Sequence, residues 1–106
     1  MRRFGTMRKI KEIIEKLDGE IKDAKEKADE YAEFRLAGDS QEASASKQAA
    51  MDELKHAELY HSRAVKEIQK ISQTFQNPPQ KMMDKWNHAH HEYIDQVAFI
   101  KQILSM

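Results

Sequence analysis

The 106-residue sequence contains no cysteine, three glycines and two prolines. Without cysteine there is no disulfide framework, no thiolate metal site and no cysteine nucleophile, which suits a reducing compartment. So little Gly and Pro leaves too few turn signals for a β-sandwich or barrel, whose short strands each need one. Neither sign of charge prevails: 18 Lys and Arg balance 18 Asp and Glu. No overall field therefore draws the chain to nucleic acid or to an anionic membrane. No apolar run approaches the roughly 20 residues of a membrane span, and the stretch from Met1 to Lys11 holds no apolar segment of signal-peptide length. A Gly-rich phosphate loop is missing too. Ser40, Ser44, Ser46, Ser62, Ser72 and Ser105 fall at helix ends or on polar helix faces, with no strained turn to activate a nucleophile. These absences predict a single soluble, cytoplasmic domain, 1–106, built mostly of helix, with no membrane partner. The basic start, Arg2, Arg3, Arg8, Lys9 and Lys11, reads as a solvated helix end more readily than as a nucleic-acid arm.

What the chain does have is helical periodicity. Ile10, Ile14, Leu17, Ile21, Ala24, Ala28 and Tyr31 recur at alternating spacings of four and three, one stripe along a first helix of about 7–36. Ile13 and Phe34 widen that stripe. Gly19 interrupts it at a cost of about 1 kcal/mol and is a candidate kink. Gly38 suits the left-handed residue after a helix, and Asp39 with Glu42 forms a capping box. A second helix of about 40–76 carries Ala50, Leu54, Ala57, His61, Ala64, Ile68, Ile71 and Phe75 on the same rhythm. Small residues at Ala43, Ala45, Ala49, Ala50 and Ala57 allow a neighbour to approach closely. Asn77-Pro78-Pro79 stops this helix and opens a third, about 79–104. Its seam is Met83, Trp86, His90, Tyr93, Val97, Ile100 and Leu104. Two short turns make sequence neighbours antiparallel. The expected fold is an all-α antiparallel bundle of three long helices. A further apolar set on helix 3, Ile94, Phe99 and Ile103, is read as a row left over for self-association.

The five histidines, His56, His61, His88, His90 and His91, all lie in the last two helices. His61 and His90 stand at seam positions where Leu or Ile is routine. Counted outward from the Asn77-Pro78 turn, their offset of about four residues is roughly 6 Å, one helical turn. They should therefore be largely buried near neighbours on facing helices. The pair reads either as a metal or proton-handling site, since neutral imidazole is a versatile ligand, or as core histidines satisfied by a partner such as Tyr93. If no carboxylate or metal intervenes, a facing pair resists joint protonation. Separately, Glu53-Leu-Lys-His56 puts a carboxylate and an imidazole on one helix face, where both can grip one ion. The turn at Gly38 brings the Glu15 to Glu20 stretch alongside them. Against this, Lys16 and Lys22 flank Glu20 and could make it an ordinary surface ion pair. Helix 3 could add Glu92, Asp95, His88 or His91.

The arrangement of Glu20-Ile-Lys-Asp-Ala24, then Glu53-Leu-Lys-His56-Ala-Glu58-Leu59-Tyr-His61, then Pro78-Pro79 before a third long helix, resembles the small ferritin-like and rubrerythrin-like proteins. In particular it resembles the small group of such proteins encoded in phages and prophages, over about Leu17 to Leu104. The resemblance implies a ferritin-like bundle in which Glu20, Glu53 and His56 are half of a carboxylate site for Fe, Mn or Zn. On this reading the chain offers no second Glu-x-x-His, and helix 3 has His88-Ala-His-His91 and Glu92-Tyr-Ile-Asp95 instead, so weak ferroxidase-type activity would need a second half-site from another subunit. Two functions follow as expectations. One is a helical interaction or structural protein that associates with itself and with a host or phage protein. The other is a degenerate metal binder using Glu20, Glu53, His56, His61 and His90.

Overall fold

The computed structural model describes residues 2–74 and 78–106, with the side chains of residues 2–4 and 6 left out. Three α-helices account for most of these residues: α1 (Arg2–Leu36), α2 (Ser40–Thr74) and α3 (Gln80–Leu104). The Phe75 and Asn77 positions of the expected second-helix seam and stop lie outside the described residues. Among the described residues there is no strand. No described helix is long and apolar enough to cross a membrane.

The first turn follows from local chemistry. Gly38 adopts φ +78°, a conformation that costs a side-chain-bearing residue but not glycine. The Gly38 amide donates to the Arg35 carbonyl and the Asp39 amide to the Phe34 carbonyl, at 3.2 and 2.9 Å, the paired bonds of a Schellman motif. Asp39 Oδ1 then accepts the Glu42 amide at 3.2 Å, capping α2. Only this half of the expected capping box forms, because the Asp39 amide already serves the Schellman motif. At the far turn, Pro79 precedes α3 with φ −57° and ψ 124°. Its carbonyl accepts the Met82 and Met83 amides. Helix α1 begins at Arg2 rather than near residue 7, because no proline opposes helix there and Met7 carries the seam one step further, packed against the core. The helix runs on through Gly19 to Leu36.

Packing is built on the α1/α2 hairpin. Ala24 and Ala28 meet Ala43 and Ala50, all buried, so small side chains let the two helices lie close. Ala45 is exposed and Ala49 only half-buried, outside this contact. Wider layers toward the other end combine Ile10, Ile13 and Ile14 with Ala64, Ile68, Ile71, Met82 and Trp86. The largest fully buried side chains are Ile10, Leu17 and Ile100, each contributing about 1.5–3 kcal/mol. The result is elongated, 56 × 18 × 16 Å. Helix α3 leans chiefly on α1 and meets α2 sparsely, so a groove stays open between α2 and α3. Ile94, Phe99 and Ile103 do not form one row. Five residues turn a helix by about 140°, so Ile94 and Phe99 face different ways. Lys25 of α1 lies over the Phe99 ring at 5.8 Å, and Ile103 is partly buried against the core cluster that includes Tyr31 and Ile100.

Candidate metal centre and the histidine seam

Along the hairpin, each step back on α1 is matched by an equal step forward on α2. This register pairs Glu30 with Ser46, Glu20 with His56, Lys16 with Tyr60 and Lys9 with Glu67. It brings Glu20, Glu53 and His56 together, with one ligand atom from each within 4.8 Å of the others. His56 Nδ1 lies 3.7 Å from Glu20 Oε2 and 3.9 Å from Glu53 Oε2. Glu20 and Glu53 are half-buried and His56 is exposed, so the group opens on one side to water. Neither Lys16 nor Lys22 makes an ion pair with Glu20 among the described residues; Lys16 reaches over the Tyr60 ring instead.

The electrostatics of Glu20 are unusual for a helix carboxylate. Its Oε2 is buried and has no hydrogen-bond partner. Its pKa is raised, first by the adjacent Glu53 carboxyl, which shares a hydrogen bond only with a protonated partner, then by burial and by Glu53's charge; His56 opposes. With both carboxyls ionised, that oxygen has no donor. Glu67, on the same side of the hairpin, is the instructive contrast. It is more buried, but Lys9 at 3.0 Å and Lys70 at 3.5 Å satisfy it. Lys9's hydrogen bond leads the causes that hold its pKa below the usual range. One buried glutamate has its cations; the other has only a second glutamate and an imidazole.

Helix α3 adds nothing to this group, contrary to expectation. Its His88 and Glu92 flank Asp18 on the opposite side of α1, with Leu17 and Ile21 between. Burial first, and then Glu92, push the Asp18 pKa up, against His88 and Lys85. His91 and Asp95 are exposed on the same helix.

His61 and His90 do meet, as their offset predicts, but they are half-buried rather than largely buried. His61 Nε2 and His90 Nδ1 are 2.8 Å apart. The ring centroids are 5.0 Å apart and the planes 16° from parallel, which places the rings nearly end to end with one N–H donating to the other's lone pair. Tyr93 is not their hydrogen-bond partner. It stacks on His61 at 4.1 Å and 7°, while Trp86 lies 5.6 Å from His61 and 5.4 Å from His90. Burial and then His90 hold the His61 pKa down. Either ring can be the donor, depending on tautomer, and among the described residues no carboxylate joins the pair into a ligand group with Glu20. A residue pattern easily overlooked sits here as well. Contrary to expectation, Glu58-Leu-Tyr-His61 is a second Glu-x-x-His, within α2 itself; burial first, and then the charge of Glu58, push the Tyr93 pKa up.

No known family model matches the chain, and neither a curated protein nor a solved structure is detectably similar to it.

Proposed function

We propose that the chain is a small ferritin-like metal-binding protein that holds one divalent cation per subunit at Glu20, Glu53 and His56. The observation that carries this reading is the buried, donor-less Oε2 of Glu20, placed where a second carboxylate and an imidazole converge. Ligands about 2.1 Å from one ion stand roughly 3–4 Å apart, and the 3.7 and 3.9 Å separations fall in that range. Two carboxylates and one imidazole suit Mn²⁺, Fe²⁺ or Zn²⁺, with water completing the shell on the open side. A cation there would neutralise the repulsion that raises the Glu20 pKa. Nothing on α3 supplies a second set of ligands, so the proposal is binding of one ion, without rapid iron oxidation. The test is thermal: added Mn²⁺ or Zn²⁺ should raise the melting temperature by preferential binding to the folded state, and Glu53→Ala should abolish the rise.

A second reading is favoured by a separate observation, the uncovered groove between α2 and α3. On that reading the chain is a helical interaction protein, of the kind phages encode, that completes its bundle with a helix from outside, from a protein partner or another copy. Met51, on the α2 wall of that groove, is 40% exposed. Sedimentation equilibrium at micromolar concentration tests the self-association arm: a 12.4 kDa species throughout would remove it.

A further inference from the structure

The second reading, on which this inference rests, leaves open what the α2/α3 groove would take. The groove encloses about 530 Å³. Its floor is apolar, with Met51 and Leu54 from α2 facing Val97 and Leu104 from α3. It is a gap between two helices that meet closely around His61, which hydrogen-bonds to His90 and stacks on Tyr93. Beyond that point α2 and α3 both rest on α1 with little between them.

The charge at the rim is the second observation. Lys47, Lys55 and Lys101 border the groove, against a single acid, Glu58. This is opposite to the surrounding half of the molecule. In residues 19–57 and 91–106, which lie side by side along the bundle, acids outnumber bases by twelve to seven. Three of those seven bases are gathered at this one groove. A second copy is a poor match, because the chain's own apolar stripes are already buried against each other. Among the described residues the large exposed apolar side chains, Leu36, Met51, Leu59, Ile94, Phe99 and Met106, are scattered rather than aligned in a stripe. We infer that the α2/α3 groove docks an amphipathic helix from another protein, one whose apolar stripe is flanked by Asp or Glu. From Lys47 to Glu58 the groove spans about 16 Å of helix, room for roughly three turns of the partner. The apolar stripe would cover Leu54 and Val97, and the flanking carboxylates would meet the lysines. Such rim charges act on selection of the partner and on association rate more than on bulk affinity.

The experiment uses three fluorescein-labelled 14-residue helical peptides with the same leucine stripe and Glu, Gln or Lys at the flanking positions. Binding to the full chain is followed by fluorescence anisotropy at low and high salt. The Glu-flanked peptide should bind in the micromolar range, at least tenfold tighter than the Gln-flanked one, with the advantage shrinking at high salt. The Lys-flanked peptide should bind least. Lys55→Glu with Lys101→Glu, both at exposed positions, should reverse the order of the Glu and Lys peptides, and Val97→Glu should remove binding of all three. Equal binding of the three peptides would overturn the acidic-partner inference while leaving helix docking in place. No binding by any peptide, with the circular dichroism of the chain unchanged, would overturn both. Binding that survives Val97→Glu would put the peptide elsewhere and overturn the inference. So would a stable dimer that excludes the Glu peptide, which would make a second copy the occupant.

Discussion

Replacing Glu20 by Gln should stabilise the metal-free protein while destroying its response to metal. A buried acceptor without a donor costs about 1–3 kcal/mol, and Glu20 presents one beside a second carboxylate. Gln has nearly the same shape, removes the charge, and can donate an amide N–H to Glu53. The Glu20 side chain is 23% accessible, so the lower end of that range applies: a gain of about 1 kcal/mol, or roughly 4–8 °C in melting temperature for a domain of this size. The pH dependence has a definite sign. The folded-state pKa of Glu20 is raised, so the folded chain binds this proton more readily than the unfolded chain. Its contribution to stability is therefore best in acid and worsens as pH rises through the folded value. The advantage of Glu20→Gln over wild type should be largest near pH 7 and should shrink toward pH 4. Thermal melts in chelator, followed by circular dichroism, measure this directly. A variant that melts at or below wild type at pH 7 would mean that Oε2 is satisfied in solution and that the case for a cation there is lost. With Mn²⁺ or Zn²⁺ added, the order should invert, wild type gaining and the variant standing still.

Three further outcomes follow from other parts of the fold. A Cβ at Gly19 would meet nothing within 4 Å, so Gly19→Ala should stabilise α1 by about 1 kcal/mol in chemical denaturation; destabilisation would reveal a local geometry that needs glycine. Asp39→Ala removes the cap bond to the Glu42 amide and should cost about 1 kcal/mol, whereas an unchanged midpoint would mark the cap as dispensable. The lowered His61 pKa means that the unfolded chain takes up its proton first as pH falls below about 6.5. Stability should accordingly decline from pH 7 toward pH 5, and His61→Phe should flatten that slope; a slope unaltered in the variant would assign it to other histidines.

The sequence carried the hairpin almost completely. The four-three stripe of Ile10 to Tyr31, Gly38 as a left-handed stop and Ala43, Ala50 and Ala57 of α2 are local or periodic signals, and each appears as expected, while Ala45 and Ala49 turn out of the contact. The convergence of Glu20, Glu53 and His56 was legible for the same reason, since an antiparallel pair joined by a short turn fixes its own register. The facing of His61 and His90 could also be counted from the second turn. What sequence could not supply is the lateral position of α3. Its seam positions predict largely buried histidines, but α3 leans toward α1, leaving those rings half-covered and the α2 side open. The same lean turns His88 and Glu92 to Asp18 instead of toward the carboxylates of the hairpin. The supposed row of Ile94, Phe99 and Ile103 failed on simple helix arithmetic, because Phe99 and Ile103, five and nine residues on, are turned about 140° and 180° away from Ile94. Glu58-x-x-His61 is masked by its overlap with the seam, since His61 reads first as a core position.

The most direct test of the account is calorimetric titration of the tag-free protein with Zn²⁺, Mn²⁺ and, under anaerobic conditions, Fe²⁺. One ion per chain is expected, with Zn²⁺ held more tightly than Fe²⁺ or Mn²⁺ in keeping with the usual order for such ligands. Affinity should weaken as pH falls, because protons compete for Glu20 and His56. Glu53→Ala should abolish the heat, while Lys101→Glu, remote from the three ligands, should leave it intact. No binding of any of the three ions at sub-millimolar concentration, or binding undiminished in Glu53→Ala, would contradict the assignment of Glu20, Glu53 and His56 as a metal site.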